Sequence, residues 1–355
     1  MNNPGWESGD KMEESVAKET LGRKLGLGIA YFLMAVGAVC VLVMMQTVAV
    51  LVVGITGIAL GADRDTVLTA YDGTSTFVYG VITIPMLLLY LKIIRRKGDP
   101  MFMKEKLNPA QIVFVVVCAF GMMGIVNIYL ISASLIAEKF ATVANEIEKY
   151  SEAVDRYSEI EAVDIPKFDH ILNFIGVCIL VPITEELTFR AGVLQTLLKR
   201  FRPTVAVLLS AAIFGVLHIR SIQVGYALIA GVFLGWVYFY TKSIRSTIFL
   251  HILFNMFGSG ISTLLQSGLF GDATSVIENY SVYSTLLEFS LIIPAIVCFI
   301  FLRSMYKNSI RIDTGSKPVI ALAAEDTVEN FVPEENAPSP FAPVTPSGEE
   351  NDEQA

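Results

Sequence analysis

Charge is what this sequence has least of. Of its 355 residues, 17% are Asp, Glu, Lys or Arg and 54% are hydrophobic. Soluble domains run at about 25% charged and about 45–50% apolar. Histidine is scarcer still, with only His170, His218 and His251. The four cysteines, Cys40, Cys118, Cys178 and Cys298, each sit in an apolar block, and none forms a CxxC pair. That argues against a disulfide framework or zinc knuckle and for small buried hydrophobes. The chain lacks a basic patch interleaved with aromatics, so it offers no nucleic-acid surface. Its net charge of −8 arises mostly in the tail and one loop. No cleavable signal peptide is expected, because residues 1–24 are polar and the first apolar block is far longer than a signal core.

What the chain does have is long apolar runs. A membrane-spanning helix needs about 20 such residues, and the sequence supplies about eight candidate runs. The expected fold is all-α, a polytopic membrane helical bundle with a disordered acidic C-terminal tail. The expected spans are Leu25–Leu60 (one long tilted helix), Thr74–Ile94 with Pro85 inside, Ala110–Ile136, Ile171–Leu198, Thr204–His218, Ile222–Tyr240, Thr247–Leu265 and Leu286–Leu302. A polar loop without Lys or Arg is expected from Gln266 to Tyr283. The composition of Ala144 to Tyr157 permits a helix outside the bilayer. Four regions follow: a mobile N-terminus over 1–24, accessory spans and an outer acidic segment over 25–168, a helical core over 169–304, and the tail over 305–355. The tail is acidic, Pro-rich and poor in aromatics, so it cannot bury a core.

Orientation follows from the cationic residues. Arg95, Arg96, Lys97, Lys104 and Lys106 follow the second span, and Lys199, Arg200 and Arg202 follow the fourth. Lys242 and Arg245 follow the sixth, and Arg303, Lys307 and Arg311 follow the last. Positive loops stay inside, so both termini are expected in the cytoplasm, with the chain in the cell membrane. The segment 138–169 then lies outside.

Against this apolar background, Thr184-Glu185-Glu186-Leu187-Thr188-Phe189-Arg190 stands out. A charged residue at a membrane-helix centre costs about 2.5–3.5 kcal/mol on the insertion scale, so such residues face a protein interior and mark function. Glu186 and Arg190 are i and i+4, the favourable order for an ion pair. Glu185 is turned about 100° away, which leaves it available for other work. Two later helices carry similar pairs, Phe214 with His218 and His251 with Asn255. Isolated groups of this kind are commonly structural contacts between helices. A carboxylate, two imidazoles and an amide together argue for a site. Counting about 1.5 Å per residue from the basic turns, Glu185 and His218 reach similar depth, with Asn255 and His251 nearer the turns. His170, at a span boundary, reads as an ordinary interfacial residue.

Glu185-Glu186-x-x-x-Arg190, Phe214-x-x-x-His218 and His251-x-x-x-Asn255 resemble, in that order, the three motifs of the CPBP family. That family includes type II CAAX prenyl endopeptidases and bacteriocin-processing or immunity relatives. The likeness covers about 90 residues, from near Ile171 to Gly260. It implies an intramembrane glutamic endopeptidase acting on a membrane-associated protein or peptide, with no cofactor. In that reading Glu185 and His218 activate a water, His251 and Asn255 form an oxyanion hole, and Glu186 and Arg190 hold the motif helix. The chemistry is self-consistent. Peptide hydrolysis needs a base for the water and an acid for the leaving amine, and one sheltered carboxyl can serve as both.

Three alternatives stand beside it. A zinc protease would use Glu185, His218 and His251 as ligands, although the HExxH pattern is absent. A non-catalytic immunity or scaffold protein would keep the motifs for packing. A transporter would use the buried carboxylate as a proton relay, but internal repeats are not apparent.

Overall fold

The computed structural model describes residues 7–62, 67, 70–95, 101–149, 165–218, 221–271 and 273–313. Arg64, Arg96, Lys97, Arg220, the outer acidic residues 150–164 and the tail from 314 onward lie outside the described residues. Among the described residues the chain is all helix, apart from a single isolated bridge between Lys104 and Ser243. The helices are α1 (Glu7–Ala59), α2 (Asp72–Ile94), α3 (Pro109–Ala137), α4 (Lys167–Leu197), α5 (Pro203–Val216), α6 (Ser221–Thr241), α7 (Ile244–Gln266), α8 (Thr274–Ser290) and α9 (Ile292–Asp313). Residues 141–149 are also helical, which covers the described part of the Ala144–Tyr157 expectation.

The first span is a single helix, and it starts at Glu7, so the described part of the 1–24 segment continues it. Apolar side chains such as Phe32, Leu33, Met44 and Ile55 stand exposed along it. A helix this apolar with bare hydrophobic faces is matched to lipid rather than water.

The expectation of eight spans requires correction. Among the described residues, six helices are long and apolar enough to cross a bilayer, or seven if α8 and α9 form one broken span. The fifth expected span, Thr204–His218, is α5, with 14 residues. At about 1.5 Å per residue that is about 21 Å, against a hydrocarbon core of about 30 Å. Helix α5 lies antiparallel along α6. Gly215 faces Val224 and Leu228, Gly231 faces Ala211, and Gly235 faces Val207. A Cβ on Gly231 would sit 3.1 Å from the Ala211 backbone, so a missing side chain sets this close approach. The expected loop Gln266–Tyr283 is helical from Thr274, and the expected span Leu286–Leu302 straddles a 47° bend at Leu291. Just past the expected loop, α8 carries a buried polar group. Glu288 accepts hydrogen bonds from Asn127 Nδ2 and from Ser284 Oγ.

Helix α4 is not regular. It contains π-helical turns at Gly176–Leu180 and Leu187–Leu194, and α7 contains one at Met256–Gly260. The first has a local cause. Pro182 has no N–H for the carbonyl four residues back, and its ring crowds that carbonyl. Widening the turn just ahead of it relieves the clash. Such turns recur at functional sites.

Tertiary contacts gather several basic ends at one end of the bundle. Arg95, closing α2, donates to Ala191 O and reaches Thr196 Oγ1 at 3.4 Å, near the end of α4. The segment after α2 pairs with the α6–α7 turn, through Ile244 N to Met103 O at 2.8 Å and Glu105 N to Lys242 O at 3.0 Å. Near the opposite end, Asp169 in the first turn of α4 caps α2. Its carboxylate accepts from Gly73 N at 2.8 Å, Thr74 N at 2.7 Å and the Thr74 hydroxyl. A Cβ at Gly73 would run into Asp169. A capping carboxylate is worth about 1–2 kcal/mol. Asp169→Ala should lower the thermal midpoint of the detergent-solubilised protein accordingly, and Asp169→Asn, which keeps one acceptor, should lower it less.

Candidate active site

The site is built from the middle of α4, the end of α5 and the middle of α7. Glu186 is fully buried on α4. Arg190 Nε lies 3.1 Å from its Oε2. The pair is an ion pair by distance, although the N–H is not aligned as a hydrogen bond. The guanidinium also reaches Gly231 O at 3.4 Å and stacks over the Phe214 ring at 5.1 Å. Arg190 therefore ties α4 to both α5 and α6.

Helix α7 supplies His251. Its Nδ1 lies 3.0 Å from Glu186 Oε1, and its Nε2 lies 3.5 Å from Glu185 Oε2. The ring thus spans the two neighbouring carboxylates. The sequence reading left Glu185 without a partner; the fold gives it one on α7. An ionised carboxylate only accepts, so Nδ1 donates to Glu186. Nε2 is left to face Glu185. The two carboxylates differ in access as well, for the Glu185 side chain keeps 16% of its surface while Glu186 keeps none.

His218 closes α5. Its Nδ1 lies 2.8 Å from Phe214 O. A carbonyl only accepts, so Nδ1 donates and Nε2 keeps its lone pair. Phe214 packs edge-on against both imidazoles, with centroids 4.7 Å from His218 and 6.2 Å from His251. This one ring spaces the two histidines. Asn255, one turn beyond His251, donates Nδ2 to Val177 O at 2.9 Å. Val177 lies in the first π-helical turn of α4. The Asn255 amide has a second N–H to offer.

Two neighbours were missed by sequence reasoning. Thr247 on α7 lies close to Glu186, and Tyr79 on α2 lies close to Thr184, beside Glu185. Thr247 had a signal, since it sits one turn before His251 and shares its helix face. Tyr79 had none, because only packing brings α2 there. His170 lies apart from these groups, beside a cavity at the other end of α4.

The residues were also tested as a metal site. Among the described residues no group of three or more His, Cys, Asp or Glu side chains is spaced to hold a metal ion.

Residues 167–257 match the family model described as "Type II CAAX prenyl endopeptidase Rce1-like". No curated protein and no solved structure matches the chain. The matched stretch runs from the start of α4 to just past Asn255, so it encloses all three motifs. With the motifs on three packed membrane helices, this segment is an Rce1-like domain of the CPBP family, carried within a longer helical membrane chain.

Proposed function

We propose that the protein is an intramembrane endopeptidase that hydrolyses a peptide bond of a membrane-associated protein or peptide. The observation that carries this reading is the His251 ring lying between Glu185 and Glu186 inside the bundle. Glu185 takes a proton from water, with His218 Nε2 accepting a second hydrogen bond from that water and so orienting it. The water oxygen bonds to the carbonyl carbon, and the carbonyl oxygen becomes an oxyanion. Asn255 donates its second N–H to that oxygen. His251, when doubly protonated, donates from Nε2. The C–N bond then breaks, and Glu185 returns the proton to the leaving amine. Glu186, paired with Arg190, holds the His251 ring in register.

The end of the bundle that gathers Arg95, Lys199, Lys242 and their neighbours is proposed to face the cytoplasm, in the cell membrane. Both termini would lie on that side if α5 and its following turn complete a short crossing.

The test is comparative proteomics of membrane peptides from cells carrying the active protein and cells carrying His218→Ala. Substrates should accumulate uncleaved in the variant at unchanged protein level. Identical peptide profiles would remove the hydrolytic reading and leave the non-catalytic membrane protein. A second measurement grades the oxyanion contribution. Asn255→Ala should lower kcat by about 10²–10³ with little change in KM, as expected for a contact made in the transition state.

A further inference from the structure

A groove lies at the basic end of the bundle, where α1 passes the end of α4. Gly28, Tyr31 and Phe32 of α1 form one wall, and Leu197, Arg200 and Phe201 form the other. Its volume is about 470 Å³, inside the range of about 300–1,000 Å³ typical of small-molecule clefts. The chain itself fixes its depth in the membrane. The apolar stretch of α1 begins at Gly28, and that of α4 ends at Leu197. Both helices leave the hydrocarbon here, so Arg200 stands at the level of lipid headgroups.

The lining joins two chemistries. Phe32 and Phe201 are exposed, at 63% and 43%, and exposed Ile29 and Leu33 continue the apolar surface along α1. Arg200 is exposed as well. Among the described residues no carboxylate pairs with it. A Cβ on Gly28 would sit 3.9 Å from Arg200 Nε, so the guanidinium lies where α1 has no side chain. Lys199 adds a second positive charge, its Nζ 5.8 Å from the centre of the Tyr31 ring. An apolar cleft capped by an uncompensated guanidinium fits a molecule with a hydrocarbon body and an anionic head. The planar fork of Arg matches phosphate oxygens two at a time.

We infer that this groove binds an anionic phospholipid, with its phosphate on Arg200 and the upper part of an acyl chain against Tyr31 and Phe32. The lipid joins α1, which lies outside the matched residues 167–257, to α4, which lies inside them. Leu197 is about 18 Å along α4 from Glu185, at about 1.5 Å per residue. The lipid site is thus separate from the candidate active site and does not depend on the hydrolase reading.

Native mass spectrometry of the delipidated full-length protein tests this, with phosphatidylglycerol and phosphatidylcholine of identical acyl chains as probes. The first phosphatidylglycerol should bind at least about tenfold more tightly than the first phosphatidylcholine, the difference expected from one charge-assisted contact. Arg200→Gln should bring the two lipids level. Arg202→Gln removes an exposed charge two residues on that does not line the groove. It should change the affinity by less than about threefold, as for a screened surface charge. Gly28→Leu keeps every charge, suits a helix and fills the groove, so it should weaken phosphatidylglycerol about as much as Arg200→Gln. Phosphatidylglycerol should also raise the thermal midpoint of the parental protein. Equal affinity for both lipids, or equal losses in Arg200→Gln and Arg202→Gln, would show a diffuse surface effect and overturn the site. Undiminished binding in Gly28→Leu would place the lipid elsewhere and overturn it too. Inorganic phosphate that raises the midpoint as far as phosphatidylglycerol at the same concentration would make this a soluble-anion site and overturn the lipid assignment.

Discussion

Glu185→Gln lowers peptide-bond cleavage by at least about 10³-fold, within the range contributed by general acid–base catalysis, while the protein inserts and melts as before. The substitution is nearly isosteric. Glu185 is the more accessible carboxyl of the pair, with 16% of its side chain exposed, and His251 Nε2 lies 3.5 Å from it. An amide keeps a polar contact at that distance. It cannot take a proton from water or hand one to an amine. The measurement is single-turnover cleavage of a membrane peptide found by the proteomic comparison, with a thermal melt alongside. Cleavage at the parental rate would end the assignment of Glu185 as the base. A large fall in the melting midpoint would instead make it a packing residue.

Arg190→Ala destabilises the fold by about 3–5 kcal/mol, the cost of leaving one partner of a buried ion pair behind. The argument is geometric. Arg190 and Glu186 have 1% and 0% of their side-chain surface exposed. No water replaces the guanidinium when it is cut away. The truncation also removes the cation over Phe214 and the contact to Gly231 O, so three helices lose a common pin. The effect is read as a lower unfolding midpoint and a lower yield of monodisperse protein. A double variant, Glu186→Gln with Arg190→Met, removes both charges together and should recover part of the loss, since an uncharged pair leaves no lone buried ion. Wild-type stability in Arg190→Ala would show that Glu186 has other sufficient partners.

The two substitutions separate the neighbouring carboxylates by kind of effect. One variant loses chemistry and keeps the fold, and the other loses the fold first. That division follows from about 100° of helical turn between consecutive residues. It places Glu186 towards Arg190 and leaves Glu185 at the edge of accessible space.

Much of this was legible in the residues. The apolar runs determine an all-α membrane bundle, because a continuous run of about 20 apolar residues suits a spanning helix, whereas a barrel strand is about half as long and alternates. The i,i+4 spacing puts Glu186 within reach of Arg190, and the order of the three motifs identifies the family segment. Span counting was less secure. Thr204–His218 is apolar throughout, yet α5 is too short to cross alone. The polar stretch Gln266–Tyr283 suggested a loop but is helical from Thr274. Hydropathy weighs each residue separately and cannot see a partner on another helix.

What the sequence determined by itself is therefore local and periodic: which stretches are helical, which of them suit a membrane, and which polar residues share a helix face. What the tertiary structure alone decided is which faces meet. His251 stands between Glu185 and Glu186, and Phe214 spaces the two imidazoles. Those relations join residues dozens of positions apart, and no backbone repeat encodes them. They arise from the packing of side-chain volumes between helices, where a missing Cβ or a widened turn shifts a contact by enough to make or lose a hydrogen bond.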